Sequence, residues 1–206
     1  MLSQSVASAL REAISAGEFQ PGERLSEVKA AERFNCSRNT LRESFTRLAA
    51  ERIVERIPNR GVFLAMPDAD YIRDLFAARA AIEPAAVRWG AFPDAPSLVT
   101  LTSSAFDYAA RGEHQEVSAI NQRFHRTLVA ALGSPTLNEQ MDNLLARMRL
   151  TFLLAIPRYP QLHADHIQGN ITLATLIADG KRDEAATLTH DSLMNTCGKI
   201  LAVLED

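Results

Sequence analysis

The sequence predicts a mainly α-helical protein of two domains, and three observations support this prediction. Apolar residues recur at three- and four-residue spacing along most of the chain, which is the period of a helix that buries one face. Between residues 53 and 64 this pattern gives way to two short β-like stretches. After residue 67 the helical pattern resumes and is broken at five points by glycine or proline. A length of 206 residues suits two small domains better than one.

Residues 1–66 are predicted to form the first domain. Helices are expected over residues 3–16, 27–34 and 38–51, and strands over 53–57 and 62–64, joined by a turn at 58–61. Ser26 and Ser37 stand where each begins a helix as its N-cap. Two short helices joined by a tight turn and followed by a hairpin are the layout of a winged helix-turn-helix.

Residues 67–206 are predicted to form an all-α antiparallel bundle of six helices. The expected helices cover residues 68–91, 97–111, 113–132, 136–156, 162–178 and 183–204. Pro67 ends the preceding strand, and Asp68 can cap the first helix of the bundle.

Composition limits the classes of protein that the chain can belong to. Apolar residues make up 47% and charged residues 23%, which is enough for a buried core. No apolar run is long enough to span a membrane, and the first ten residues do not read as a secretory signal. The two cysteines, Cys36 and Cys197, are far apart and in no metal or redox spacing. We therefore expect a reduced cytoplasmic protein that contacts no membrane.

The third predicted helix carries the candidates for nucleic-acid contact. In a winged helix-turn-helix, the start of this helix faces the base edges, and here it reads Arg38, Asn39, Thr40 and Arg42. Arg38 and Arg42 are four residues apart and share a face, whereas the apolar residues lie on another. The hairpin tip adds Arg60 and Gly61. Net charge is +2 over residues 1–66 and −5 over the remainder. Spacing alone equally allows a solvated helix face.

Three histidines and one amide of the second domain are candidates for a metal site. Asn121 and His125 border the apolar stripe of one helix, and His166 and His190 fall on the apolar sides of the last two. Ligands on facing helices form metal sites inside bundles, and imidazoles suit divalent zinc, nickel, copper or iron. Hydrogen-bonded core histidines are the alternative.

The stretch from residue 10 to residue 65 resembles the GntR-family DNA-binding domain. The matching elements are "G…PG.RL.E", "SR..(L/V)RE…RL" and "P.RG", in this order. The resemblance implies that Arg38, Arg42 and Arg47 contact a double-stranded operator, that Gly61 forms the wing tip, and that the protein acts as a homodimer. Departures from the family pattern at Val28, Asn39, Thr40 and Arg52 leave the operator sequence open.

Residues 71–204 resemble the FCD effector domain of the FadR-type branch of that family. The signs are "RAAIEPAA" from Arg79, "N..FH..L" from Asn121, and the later histidines 166 and 190. The resemblance implies a divalent metal, such as zinc or nickel, on Asn121, His125, His166 and His190, beside a small carboxylate effector. Asn121 stands where aspartate is usual, which removes a negative charge. Arg79 and Arg149 are candidate partners for the effector carboxylate.

These features predict a regulator, expected to be a repressor, whose operator binding responds to an organic acid in the second domain. A metal-sensing regulator is the first alternative. A metal-dependent hydrolase is the second, although no Asp or Glu is spaced with the histidines as a general base would be in HExxH. We therefore expect that the protein is not an enzyme.

Overall fold

The computed structural model describes residues 2–205, apart from the side chains of residues 2 and 163. This range contains nine helices and one three-stranded sheet, which confirms the mainly α class. The elements are α1 (Leu2–Ser15), β1 (Arg24–Leu25), α2 (Glu27–Arg33), α3 (Arg38–Ala50), β2 (Val54–Ile57), β3 (Gly61–Leu64), α4 (Ala69–Trp89), α5 (Ala95–Ala110), α6 (His114–Ala130), α7 (Pro135–Ala155), α8 (Leu162–Ala178) and α9 (Arg182–Glu205).

The chain divides into two compact units. The first comprises the chain up to Asp68 together with Leu145–Leu154, and the second comprises Ala69–Leu144 together with the chain from Ala155 onward. The division therefore runs through α7, whose C-terminal half groups with the N-terminal elements. No helix in residues 2–205 is both long enough and apolar enough to cross a bilayer.

Three helices form the core of the first unit. α1 and α2 both pack against α3, where Leu10, Leu41 and Phe45 are fully buried. Two polar contacts fix α1 on α3: the Ser44 hydroxyl donates to the carbonyl of Ser3 at 2.9 Å, and the Arg11 guanidinium pairs with the Glu51 carboxylate. α3 therefore has one side held in the core and one side left to solvent.

Serine caps begin both helices of the helix-turn-helix, as the sequence predicts. The Ser26 side chain accepts from the backbone N–H of Lys29, and the Ser37 side chain accepts from that of Thr40 at 3.1 Å. Between the two helices, Asn35 adopts a left-handed conformation with φ of 45°, which turns the chain sharply. Each cap satisfies an N–H group that would otherwise lack a partner in its helix.

The wing is a three-stranded antiparallel sheet in the order β1-β3-β2. β2 and β3 are the predicted hairpin, in which Ile57 pairs with Gly61. Gly61 has a φ of +110°, a backbone conformation that residues other than glycine rarely adopt. β1 was not predicted, because a two-residue strand is too short to show alternation.

The second unit contains the six predicted helices, although α7 contributes only part of its length. α4 packs against α9 and α6, and α5 packs against α8 and α6. One apolar cluster includes Phe124 and Leu128 of α6 with Leu173 and Ile177 of α8. A smaller cluster joins Ala105, Val117 and Ile167. α6 and α8 therefore share both clusters, and these two helices also carry Asn121, His125 and His166.

Candidate nucleic-acid interface and effector site

The start of α3 presents three polar side chains to solvent. Arg38, Asn39 and Arg42 are exposed, whereas Leu41 and Phe45 of the same helix are fully buried. Arg38 and Arg42 lie one turn apart, so their guanidinium groups can meet the same stretch of duplex. Arginine can pair bidentately with guanine and asparagine with adenine in the major groove. The exposed side of α3 therefore has the chemistry of a base-reading surface.

Thr40 takes part in the cap of α3. Its backbone N–H and its hydroxyl both contact the Ser37 side chain, the hydroxyl at 2.8 Å, and Thr40 itself is half-buried. Asn39 donates from Nδ2 to Glu43 Oε1 at 3.0 Å. Within the predicted set, Thr40 therefore fixes the helix start, whereas Asn39 lies on the exposed side next to Arg38.

Arg42 is held at both its side chain and its backbone. Its Nε donates to the two carboxylate oxygens of Glu27 at 3.1 and 3.3 Å, and its Nη2 lies 3.1 Å from Glu27 Oε2. The carbonyl oxygen of Arg42 accepts from Arg56 Nη2 at 2.6 Å. α2, α3 and the wing strand β2 therefore all contact this residue.

The other predicted contacts lie apart from this surface. Arg47 is exposed, but five residues beyond Arg42 place it about 140° around the helix. Arg60 and Gly61 are exposed at the wing, where the Arg60 guanidinium lies 5.9 Å from the ring centroid of Phe63. A Cβ on Gly61 would lie 3.4 Å from the Nε of Arg24. Arg24 therefore adds a cation to the wing that was missing from the predicted set.

A buried ionic group occupies the centre of the second unit. Arg79 Nε donates to Glu83 Oε1 at 2.6 Å, and His125 Nδ1 lies 2.6 Å from Glu83 Oε2. All three residues are buried, and Glu83 is completely so. Burial alone would raise the pKa of Glu83, but the charges and hydrogen bonds of Arg79 and His125 outweigh this effect. The net result is a fall in the pKa of Glu83 from 4.5 to about 2. Glu83 is therefore ionised and neutralises the buried guanidinium.

A narrow polar cavity of about 10 Å³, enough for roughly one water molecule, lies between α5, α6 and α8 in the same unit. Its polar lining comes from Thr102, Asn121, His166 and Asn170, and its apolar lining from Ala105, Val117, Ile120 and Ile167. Asn170 Nδ2 donates to Asn121 Oδ1 at 2.7 Å across the cavity wall. A concave site with a few convergent polar groups on an apolar wall is typical of a small-ligand site.

His190 lies away from this cavity, and its predicted inward orientation is wrong. The side chain is 54% exposed, and its Nδ1 lies 3.1 Å from Asp191 Oδ1. The physical reason is that Thr189 and Thr196 are buried on α9, so the buried stripe is rotated toward them. The Thr189 hydroxyl donates to the carbonyl of Ala185 at 2.8 Å, which makes threonine tolerable there.

The predicted metal ligands, as placed, do not form a single site. Asn121 and His166 line the cavity, His125 is bonded to Glu83, and His190 faces solvent. Within residues 2–205, apart from side chain 163, no three His, Cys, Asp or Glu side chains are grouped so that they could hold an ion. The four-ligand set does not fit a divalent metal in this arrangement.

The two predicted carboxylate partners also lie outside the cavity lining. Arg79 is engaged by Glu83, as described above. Arg149 belongs to the first unit, where its guanidinium occupies the space beside Gly17 that a Cβ would fill, and burial lowers the pKa of this group. Effector contact by Arg79 or Arg149 stays a prediction, and the cavity offers amides and an imidazole instead.

Four residues in these sites were missed by sequence reasoning. Arg24 and Glu27 both belong to the "PG.RL.E" run, and Glu83 belongs to "RAAIEPAA", so each stood inside a recognised motif. Asn170 lies four residues after His166, and that spacing places both on one helix face. All four therefore stood near recognised residues, but the pattern alone did not show their contacts. Glu27, Glu83 and Asn170 each have a partner that is distant in the sequence.

The fold and the exposed arginines define a class of protein. A winged helix-turn-helix with arginines at the start of its second helix belongs to DNA-binding transcriptional regulators. Residues 2–64 match the model of the bacterial regulatory proteins of the gntR family, and residues 74–195 match the FCD domain. The chain belongs to the GntR family and carries an FCD domain.

Named relatives extend along most of the chain. The Nta operon transcriptional regulator of Aminobacter aminovorans is 26% identical over 189 residues, covering 90% of this chain and 88% of its own. The galactonate operon transcriptional repressor of Escherichia coli strain K12 is 28% identical over 159 residues, covering 66% and 69%. A crystal structure of a GntR regulator from Rhodococcus sp. RHA1 has a TM-score of 0.82 and 29% identity, covering 97% of each chain. The family and these relatives are transcriptional regulators, which removes the hydrolase alternative.

Proposed function

We propose that this regulator is a cytoplasmic repressor of the FadR-type branch, which binds its operator as a homodimer and leaves it when a small carboxylate binds in the second unit. Two features support the proposal: the exposed side of α3 and the polar cavity between α5, α6 and α8. The galactonate repressor among its relatives is named for an operon of sugar-acid use, which supports a carboxylate effector.

The single observation that carries the DNA-binding part is the division of α3 into two sides. Leu41 and Phe45 anchor the helix in the core, and Arg38 and Arg42 face solvent on its other side. Both arginines stand near the helix start, where the peptide dipoles favour contact with phosphate. A helix held in this way can enter the major groove without disturbing the core beneath it.

A homodimer follows from the size of one reading surface. A single helix start contacts only a few base pairs, whereas two copies related by two-fold symmetry read both halves of a palindromic operator. We therefore expect the operator to contain two inverted half-sites about one helical turn apart.

The effector part rests on the chemistry of the cavity. Its free volume of about 10 Å³ holds roughly one water molecule, so a ligand of several heavy atoms requires the side chains that line the cavity to move apart. Amide N–H groups of Asn121 and Asn170 are donors, and His166 adds a titratable one. A carboxylate or hydroxy acid matches these donors, while the isoleucines of the wall contact its carbon chain. Differential binding of about 1–3 kcal/mol between two arrangements of the protein suffices to change operator occupancy.

The DNA-binding part is tested by selection from a pool of randomised duplexes with the full chain. We expect enrichment of an inverted repeat, and binding of the enriched duplex at least a hundredfold tighter than a scrambled duplex at moderate salt. Enrichment of no sequence would refute the proposed function.

The effector part is tested by thermal shift with a panel of sugar acids and small dicarboxylates. A ligand that binds the folded protein raises the melting temperature with its concentration. We expect the shift to be lost in Asn170→Leu, which removes one of the two amides of the cavity, and kept in Gln168→Leu, which changes an exposed side chain on the same helix. The effector must also release the enriched duplex.

The same screen, repeated with a chelator, addresses the metal. Because the four predicted ligands do not converge, we expect the effector shift to persist when divalent ions are removed. A shift that vanishes with chelator and returns with zinc or nickel would restore the metal-sensing alternative.

A further inference from the structure

We propose that Glu27 is a positioning residue that holds Arg42 for end-on contact with guanine, and so sets the sequence preference of the regulator. The observation behind this inference is the bidentate salt bridge between the Glu27 carboxylate on α2 and the Arg42 guanidinium on α3. The inference rests on the proposed function, since it concerns how the operator is read.

The geometry determines which edge of the guanidinium is used. The carboxylate takes the edge formed by Nε and Nη2, at 3.1 to 3.3 Å. A guanidinium has five N–H donors in a fixed plane, so the opposite edge, formed by Nη1 and Nη2, stays directed away from Glu27. That edge matches the O6 and N7 acceptors of guanine in the major groove. Arg42 itself is 62% exposed, so a base can reach it.

The backbone of Arg42 is fixed as well. Its carbonyl oxygen accepts from Arg56 of the wing at 2.6 Å and from the Thr46 hydroxyl at 2.9 Å. The helix-turn-helix and the wing therefore both contact Arg42, one of the exposed residues at the start of α3. Arg38 and Arg47 have no comparable bidentate salt bridge among the described residues. Arg42 is therefore the arginine of α3 whose side chain is held in one orientation.

The energetic effect of Glu27 differs between specific and non-specific DNA. A carboxylate near the duplex repels phosphates, so it weakens binding to any sequence. Glu27 also restrains the Arg42 side chain before binding, so that less rotamer freedom is lost when DNA binds. This saving in entropy strengthens binding only where a guanine accepts two hydrogen bonds from Arg42. Glu27 therefore lowers overall affinity and raises the ratio of specific to non-specific binding.

The test compares Glu27→Gln with the wild-type full chain on two duplexes, the one enriched from the randomised pool and a scrambled one. We expect the ratio of the two affinities to fall about fivefold or more in Glu27→Gln, while affinity for the scrambled duplex stays the same or rises. The matched control is Glu32→Gln, which removes the same charge from an exposed position of α2. Its ratio should stay within twofold of wild type.

Two further measurements separate positioning from structural damage. Substituting each base pair of the enriched duplex should show that Glu27→Gln loses discrimination at the same guanine as Arg42→Lys. In the Arg42→Lys background, Glu27→Gln should no longer change the ratio. The melting temperature of Glu27→Gln, measured alongside, should remain close to that of Glu32→Gln, since both positions are exposed or half-buried.

Each alternative outcome has a distinct meaning. Equal changes in Glu27→Gln and Glu32→Gln would show that only charge matters and would overturn the positioning role. Loss of discrimination at bases other than the one read by Arg42 would overturn it as well. A wild-type protein that enriches a sequence but does not depend on Glu27 refutes this inference alone, whereas a wild-type protein that enriches nothing refutes the proposed function itself.

Discussion

Glu83→Gln removes the negative charge at the centre of the second unit while keeping the shape of the side chain. In the wild-type protein this carboxylate accepts from Arg79 Nε and contacts His125 Nδ1, each at 2.6 Å. Without it, the guanidinium of Arg79 stays buried and loses the negative charge that Glu83 holds beside it. Such a loss is costly because a buried ion depends on its partner to offset the missing water.

The magnitude follows from the pKa of Glu83. The pKa falls from 4.5 to about 2 in the folded protein, and each unit corresponds to about 1.4 kcal/mol. The ionised carboxylate therefore stabilises the fold by about 3 kcal/mol at neutral pH. Breaking a buried pair by removing one partner costs about 3–5 kcal/mol, which agrees in order of magnitude. We expect Glu83→Gln to lose about 3 kcal/mol of unfolding free energy at pH 7.

The pH dependence has a definite sign. The unfolded carboxylate takes up its proton near pH 4.5 and the folded one only near pH 2, so protons favour the unfolded state between these values. The contribution of Glu83 is therefore complete above about pH 4.5 and is lost as the pH falls toward 2. Urea denaturation followed by far-ultraviolet circular dichroism should show the difference between wild type and Glu83→Gln shrinking over this interval.

Two variants make the result decisive. Glu116→Gln removes a carboxylate from an exposed position of α6 and should change stability by less than about 0.5 kcal/mol. Combining Arg79→Met with Glu83→Gln removes both buried charges, and we expect it to recover at least half of the loss. A cost below about 1 kcal/mol for Glu83→Gln at pH 7 would refute the view that this carboxylate neutralises a buried cation.

Three further changes test other parts of the structure. Arg38→Ala should lower affinity for the enriched duplex about tenfold or more. Arg47→Ala should weaken binding to the enriched and scrambled duplexes equally, because Arg47 lies about 140° around α3 from Arg42 and we expect it to contact phosphates; fluorescence anisotropy measures both affinities. Gly61→Ala should lower stability by about 1–3 kcal/mol in chemical denaturation, because its φ is +110°. Gly198→Ala should raise stability by about 0.5–1 kcal/mol by the same measurement, since this helical position has open space for a methyl group.

The regular elements could be predicted from the sequence because their signals are local. Apolar periodicity located the nine helices of residues 2–205 to within a few residues, and the serine caps marked the starts of α2 and α3. Gly61 marked the hairpin because residues other than glycine rarely adopt its backbone conformation. β1 escaped prediction because its pairing with β3 is a tertiary contact, made across more than thirty residues.

The sites were harder to predict because they depend on which side of a helix is buried. When only apolar residues of α9 are counted, His190 is predicted to point inward. The buried side of α9 also includes threonines, which rotates it away from His190 and leaves that side chain exposed. Arg79 was predicted as a partner for an effector carboxylate, and in the structure its guanidinium contacts a carboxylate of the same helix, four residues away. Glutamate at that spacing is common on exposed helix faces, so only burial distinguishes this pair from a surface one.

α6 connects the buried ionic group to the cavity. Asn121 lines the cavity and His125, one turn further along the same helix, contacts Glu83. An effector that bonds to Asn121 must therefore be accommodated by a helix whose next turn is fixed to α4. If this link transmits binding, the melting shift caused by an effector from the thermal-shift screen should be smaller in Glu83→Gln than in Glu116→Gln at equal ligand concentration. Equal shifts in the two variants would show that the cavity binds its ligand independently of the ionic group, and the signal to the DNA-binding unit would then have to begin at α5 or α8 instead.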